Sequence, residues 1–133
     1  MTSILNADLH CHSVISDGTL TPEALAERAR TNGVELWALT DHDEIGGQHR
    51  AMTAARAQGL KYLTGTEISI TFAGQTVHIV GLGFDPDNEQ LKQGLAQTRG
   101  GRGSGRRRCL TAWLRWASRA RIKVPSNLWA IPS

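Results

Sequence analysis

The chain has 133 residues, with 15 Lys and Arg against 12 Asp and Glu, for a formal net charge of +3. That length suits one small domain. Two cysteines, Cys11 and Cys109, make no disulfide framework, and no run approaches the roughly 20 apolar residues of a membrane span, which argues against a stapled secreted fold and a membrane protein. The sign of the charge is uneven: twelve acidic and six basic residues make 1–98 net −6, while nine basic and no acidic residues make 99–133 net +9. The start Met1-Thr2-Ser3-Ile4 has no signal-peptide pattern, so a reducing cytoplasm is the expected compartment.

In chain order, an apolar run through Ile4, Leu5, Ala7 and Leu9 predicts a short strand that passes into Asp8-Leu9-His10-Cys11-His12-Ser13 and, four residues on, Asp17-Gly18. Thr21-Pro22-Glu23 reads as an N-cap, first helical position and acidic first turn, and Ala24, Leu25 and Ala29 continue a helix to a stop at Asn32-Gly33. The apolar run Val34 to Thr40 predicts a second strand, which ends in Asp41-His42-Asp43. Gly46-Gly47 opens an alanine-rich helix that stops at Gly59. Leu60 to Leu63 reads as a third strand, ending at Gly65-Thr66-Glu67. Alternation in 68–72 and 76–80 around Ala73-Gly74-Gln75 predicts a hairpin, and Asp85-Pro86-Asp87-Asn88 starts a helix carrying Leu91 and Leu95. Strand, helix, strand, helix, strand predicts a parallel sheet, with a site where strands end and loops begin.

Residues two apart on a strand share a face, so His10 and His12 can address one point. Gathering the strand ends gives His10, His12 and Asp17 from the first, His42 from the second, Glu67 from the third and His78 from the hairpin. Imidazole with carboxylate and no required thiolate suits Zn²⁺, Mn²⁺ or Fe²⁺, whereas His-x-His alone is equally a pair of solvated histidines beside a turn aspartate. Glu67 has two oxygens and can bridge two ions, and paired ions suit phosphoryl hydrolysis. His49, on the outward side of its helix, is expected to be simply solvated, while Cys11 and Trp37 are expected to pack.

Five ordered motifs resemble the polymerase and histidinol phosphatase (PHP) superfamily of metal-dependent phosphoesterases: Asp8 to Ser13, Ser16-Asp17-Gly18, Leu39 to Asp43, Gly65 to Ser69 and Val77 to Gly81. The spacing of 16–23 and the hairpin ending in His78 resemble the branch of nucleoside 3′,5′-bisphosphate phosphatases and a 5′-to-3′ exoribonuclease. The resemblance covers 4 to about 98. It implies an α/β fold, the N-terminal half of a distorted (βα)7 TIM-like barrel, with up to three divalent ions (Mn²⁺, Zn²⁺ or Fe²⁺) at the C-terminal ends of the strands. His10 and His12 would hold one ion, Glu67 would bridge to a second also bound by His78, and Asp17 and His42 would hold the third. Asp8, Asp41 and Asp43 match positions that orient imidazoles or fix loops. Ser13 is expected either to cap its loop or to touch a phosphate. The implied substrate is a small phosphorylated molecule, a nucleotide or short RNA, with neither a membrane nor an obligate protein partner.

A barrel of this kind needs about 200 residues or more. The family's later motifs, a further histidine and an Asp-x-His pair, have no counterpart, because 99–133 contains no Asp, Glu or His. Two units are therefore expected: a partial PHP domain over 1–98 and a basic Gly/Arg/Trp-rich tail over 99–133 that is non-native through a shifted reading frame, or disordered. On that expectation each ion would lose a ligand, and an inactive truncated remnant is the alternative to a working phosphoesterase. A second alternative is an RNA-binding tail, with Arg106-Arg107-Arg108 gripping phosphates and Trp113 and Trp116 stacking bases.

Overall fold

Two sheets and three helices make up the computed structural model of the chain, which describes residues 5–72 and 74–100. The tail readings on Arg106, Arg107, Arg108, Cys109, Trp113 and Trp116 lie outside the described residues, as do Ile4 and Ala73.

The first sheet is parallel, in the order β1 (Ala7–Asp8), β2 (Leu36–Trp37), β3 (Lys61–Tyr62), as the alternation of strands and helices requires. Its strands are shorter than their apolar runs predict. The reason is local: beyond the ladder, Thr40 Oγ1 accepts from the Cys11 amide at 3.2 Å, taking the place of a backbone carbonyl. Backbone bonds continue on either side, from Ala38 N to Asp8 O and from Thr40 N to Cys11 O, both 2.9 Å. The segments carrying His10, His12 and His42 therefore run side by side past the formal strand ends.

Helix α1 (Pro22–Thr31) begins where expected, with Thr21 Oγ1 accepting from the Ala24 amide at 3.2 Å. Helix α2 (Gln48–Ala57) lacks a side-chain cap of its own. The two pack through small residues, Ala26 and Ala29 against Ala51 and Ala55, over Trp37, Leu39 and Leu60. Alanine permits this close approach and large side chains would not. An exposed bidentate pair between Arg50 and Glu23, both bonds 2.8 Å, joins the same helices and holds the Glu23 carboxyl down at about 2.

Strands β4 (Gly65–Phe72) and β5 (Gln75–Leu82) form the antiparallel hairpin, with Phe72 opposite Gln75. Here the structure corrects the reading of 65–67: Glu67 lies inside β4, opposite Val80, and not at the end of the third strand. A backbone bridge between His42 and Glu67 ties β4 parallel to the end of the β2 segment, so the hairpin strand takes over the direction of the sheet. Gly65 makes that crossing possible, since a Cβ there would stand 2.6 Å from Leu39 O.

Asp85 to Asn88 form a turn, and Asn88 Oδ1 caps helix α3 (Glu89–Gly100) by accepting from Leu91 N at 2.9 Å. Leu91 and Leu95, four apart on one face, bury against Ile45 and Ile68. The helix runs through Thr98 to Gly100.

Candidate metal centre

The six residues gathered from the strand ends come together. Glu67 sits at the base, its carboxylate 9% exposed, and the imidazoles stand around it. Glu67 Oε2 lies 2.7 Å from His10 Nε2, 3.0 Å from His12 Nε2 and 4.0 Å from His42 Nδ1. Its other oxygen, Oε1, lies 3.4 Å from His78 Nδ1. Burial works to raise the Glu67 pKa, but the hydrogen bond with His10 and the surrounding imidazoles outweigh it and hold the carboxyl below its ordinary value.

Sheet geometry accounts for these positions. His10 and His12 are two apart on an extended segment and share a face, with their Nε2 atoms 3.1 Å apart. Glu67 pairs with Val80 and Ser69 with His78, so Glu67 and His78 are diagonal neighbours on one face of the hairpin. Asp17 arrives from a tight loop in which Ser16 N and Gly18 N both donate to Ser13 O, at 3.1 and 2.9 Å. A Cβ on Gly18 would fall 2.1 Å from His12 O, so only glycine allows the loop to fold back this far. Asp17 Oδ1 then lies 3.6 Å from His12 Nδ1, and its Oδ2 lies 3.6 Å from His42 Nε2.

Three overlapping donor sets result: His10, His12 and Glu67; His12, Asp17 and His42; His42, Glu67 and His78. Within each set the ligand atoms lie within 4.8 Å of one another. The grouping differs from the expected one in that His12 and His42 are each shared between two sets. Ligands about 2.1 Å from a tetrahedral ion stand about 3.4 Å apart; the 3.0 Å from His12 Nε2 to Glu67 Oε2 and the 3.1 Å between the two Nε2 atoms come close to that, while the 2.7 Å from His10 Nε2 to Glu67 Oε2 is a hydrogen-bond length. A second observation agrees: among the described residues the buried ring nitrogens His12 Nδ1 and His42 Nδ1 have no hydrogen-bond partner. Buried polar atoms normally find one, and a cation beside a ring lone pair supplies it. The donor set therefore fits divalent ions. Asp17 and His10, with side chains 66% and 56% exposed, leave the rim open to a ligand from solvent.

Supporting residues are placed as firmly. Asp41, buried, accepts from Ser13 N and Ser16 Oγ on Oδ1 and from Ser13 Oγ on Oδ2, each at 2.7 Å, and so clamps the loop between His12 and Asp17. Ser13 is fully buried in that clamp, its hydroxyl donating to Asp41. Asp43 accepts from Ser69 N at 2.8 Å, and Asp8 accepts from His10 N at 3.4 Å; both bonds fix backbone. Trp37 and Cys11 pack as expected, the indole donating to Sγ at 3.2 Å, and burial pushes the Cys11 thiol up to about 11. His49 is exposed but not merely solvated, since it stands 2.9 Å from Asp87 Oδ1.

Sequence reasoning missed Gln48. It is completely buried, donates from Nε2 to Leu39 O and Gly65 O, and accepts on Oε1 from Gly65 N and Tyr62 Oη. One amide thus joins the ends of β2 and β3 to the start of β4, two residues before Glu67. A signal was available: Gln48, Ala51 and Ala55 share the buried face of α2 at spacings of three and four.

The PHP domain model matches residues 8–101. This chain belongs to the PHP domain family. It is 48% identical over 97 residues to the 3′,5′-nucleoside bisphosphate phosphatase of Chromobacterium violaceum, covering 73% of this chain and 34% of the relative. It is likewise 48% identical over 84 residues to a 5′-3′ exoribonuclease of Haemophilus influenzae, covering 63% and 31%. Among solved structures, a protein of Bifidobacterium adolescentis assigned as a metal-dependent phosphoesterase superposes with a TM-score of 0.68 at 42% identity, covering 72% of this chain and 34% of that one. The chain thus spans about a third of the length of the relatives it matches. Among the described residues no helix is long and apolar enough to cross a membrane.

Proposed function

We propose that this PHP domain is part of a metal-dependent phosphoesterase that hydrolyses phosphate esters of nucleotides or short RNA. His10, His12, Asp17, His42, Glu67 and His78 are the proposed ligands of up to three Mn²⁺, Zn²⁺ or Fe²⁺ ions. The convergence of three donor sets on Glu67, with two buried ring nitrogens lacking partners among the described residues, carries this reading. Divalent ions held there supply Lewis acidity toward a phosphoryl oxygen and lower the pKa of water toward neutrality. Glu67 contributes the buried negative charge that assembles the imidazoles, and Asp17 orients between His12 and His42. Asp41 holds Asp17 in place through the two serines, and Asp8 and Asp43 fix the segments on either side.

In the same reading the described residues are the N-terminal half of a distorted (βα)7 barrel, and the phosphatase and exoribonuclease relatives suggest the substrate class. The test is phosphate release from nucleoside 3′,5′-bisphosphates and 5′-phosphorylated oligoribonucleotides with added Mn²⁺ or Zn²⁺, together with elemental analysis of the purified full chain. Bound transition metal is expected, with His12→Ala losing both metal and hydrolysis. Absence of metal from the wild-type chain, or full activity in His12→Ala, overturns the proposal.

One observation favours a second reading, an inactive remnant: residues 101–133 contain no Asp, Glu or His to complete the ligand set. On that reading this region is a non-native tail, the chain binds metal weakly, and it releases no phosphate under any of these conditions.

A further inference from the structure

The loop that carries His42 is held from a place where no site residue was expected. Asp43, directly after His42, has a left-handed backbone (φ +50), a conformation uncommon for a residue with a side chain, though aspartate is among those that adopt it most readily. Three groups hold it here. Its amide donates to Glu67 O at 2.9 Å, its carboxylate accepts from Ser69 N at 2.8 Å, and its carbonyl accepts from Arg99 Nη1. Arg99 also pairs with Glu44 at 3.0 Å, and Glu44 Oε1 in turn accepts from the amides of Ile45 and Gly46 at 2.9 and 2.8 Å. The two contacts of Arg99 therefore bracket the chain just after His42. They reach it across 56 residues, from the last turn of α3.

We infer that Arg99 is a positioning residue for the metal centre: its guanidinium ties the end of α3 to Asp43 and Glu44 and thereby holds the His42 imidazole toward Glu67 and Asp17. The inference rests on the proposed role of His42 as a ligand. Arg99 Nη1 makes both contacts, and the planar, always charged guanidinium holds that nitrogen between the carbonyl and the carboxylate; a lysine ammonium, a compact charge on a flexible stem, holds such a position less firmly. Arg99 is partly exposed and borders an open cleft of about 380 Å³ with Glu44, Ile45 and His49. Its removal leaves no sealed cavity, so the fold is expected to survive it.

The experiment compares full-length wild type with Arg99→Ala, Arg99→Lys and a control, Arg50→Ala, which breaks the exposed pair with Glu23 between α1 and α2 and leaves the contacts of Asp43 and Glu44 in place. Mn²⁺ alone is titrated and followed by its electron paramagnetic resonance signal. Histidine ring nitrogens are followed by NMR in the metal-free proteins. Arg99→Ala is expected to lose about tenfold in Mn²⁺ affinity, Arg99→Lys less, and Arg50→Ala nothing. In the metal-free spectra Arg99→Ala is expected to shift the His42 ring signals while His49 stays in place. Unchanged His42 signals in Arg99→Ala overturn the inference, as does a loss of affinity in Arg50→Ala equal to that in Arg99→Ala. If Arg99→Ala does not fold, Arg99→Lys decides: weakened Mn²⁺ binding with shifted His42 signals supports the inference, and wild-type behaviour in both overturns it. A wild-type chain that takes up no Mn²⁺ refutes the metal-site reading, and the metal-free spectra still decide the role of Arg99.

Discussion

Asp41 shows how one buried carboxylate can organise a site it does not line. Its three short bonds to Ser13 and Ser16 are the kind in which an ionised acceptor strengthens each contact, and all three fall on the loop that delivers Asp17. Asp41→Asn keeps the shape but turns one oxygen into a donor facing a donor. We expect a loss of about 2 kcal/mol in urea unfolding, together with weaker Mn²⁺ binding, while secondary structure by circular dichroism is unchanged. The motif Leu39 to Asp43 made Asp41 visible in the sequence, but its partners were not, because Ser13 and Ser16 lie 28 and 25 residues away and only the folded loop brings them there.

Where helix α2 meets the strand ends, Gln48 closes a junction of four hydrogen bonds. Tyr62 is the one member that can be removed without emptying the site. Burial raises its phenol well above the usual range, so at any ordinary pH it is a neutral donor to Gln48 Oε1 at 2.7 Å. Tyr62→Phe should cost about 1 kcal/mol and leave metal affinity nearly unchanged, since Gly65 N still satisfies the amide oxygen. Gln48→Leu strands Leu39 O and both polar groups of Gly65 in the interior; we expect about 3 kcal/mol, read by the same unfolding curve. Alternation in 68–72 and 76–80 announced the hairpin, whereas its true length did not show. Gly65, Thr66 and Glu67 read as the end of the third strand, and not as the start of β4, because a strand that leaves one sheet to enter another carries no distinct local pattern.

For the molecule as a whole, the clustered charges around Glu67 imply that metal and stability are linked. The rings of His10 and His12 approach to 3.1 Å, and the buried Nδ1 atoms of His12 and His42 have no hydrogen-bond partner among the described residues, which a bound cation would supply. At a Mn²⁺ concentration one hundred times its dissociation constant, the folded state should gain about 2.7 kcal/mol, with a higher melting temperature that chelator reverses. Both clusters of the core reach the ligands, the one between α1 and α2 through Cys11, which lies between His10 and His12, and the other through Ile68, next to Glu67, so loosening of either is expected to reach the site.

The sequence by itself determined the family and singled out the residues that gather in the candidate site. Local patterns decide where a short parallel strand, a capped helix or a hairpin forms, and ligand-type side chains at the ends of such elements stand out by type and spacing: His10, His12, Asp17, His42, Glu67 and His78 were all legible in this way. Only the tertiary structure decided how they share: His12 and His42 each serve two donor sets because Gly18 lets the Asp17 loop fold back and the hairpin crosses to the parallel sheet at Gly65. It also decided that Ser13 is buried, that Gln48 is a junction and that Arg99 meets Asp43 and Glu44. Those roles depend on partners from 9 to 56 residues away, and contacts over such separations leave no mark on local periodicity.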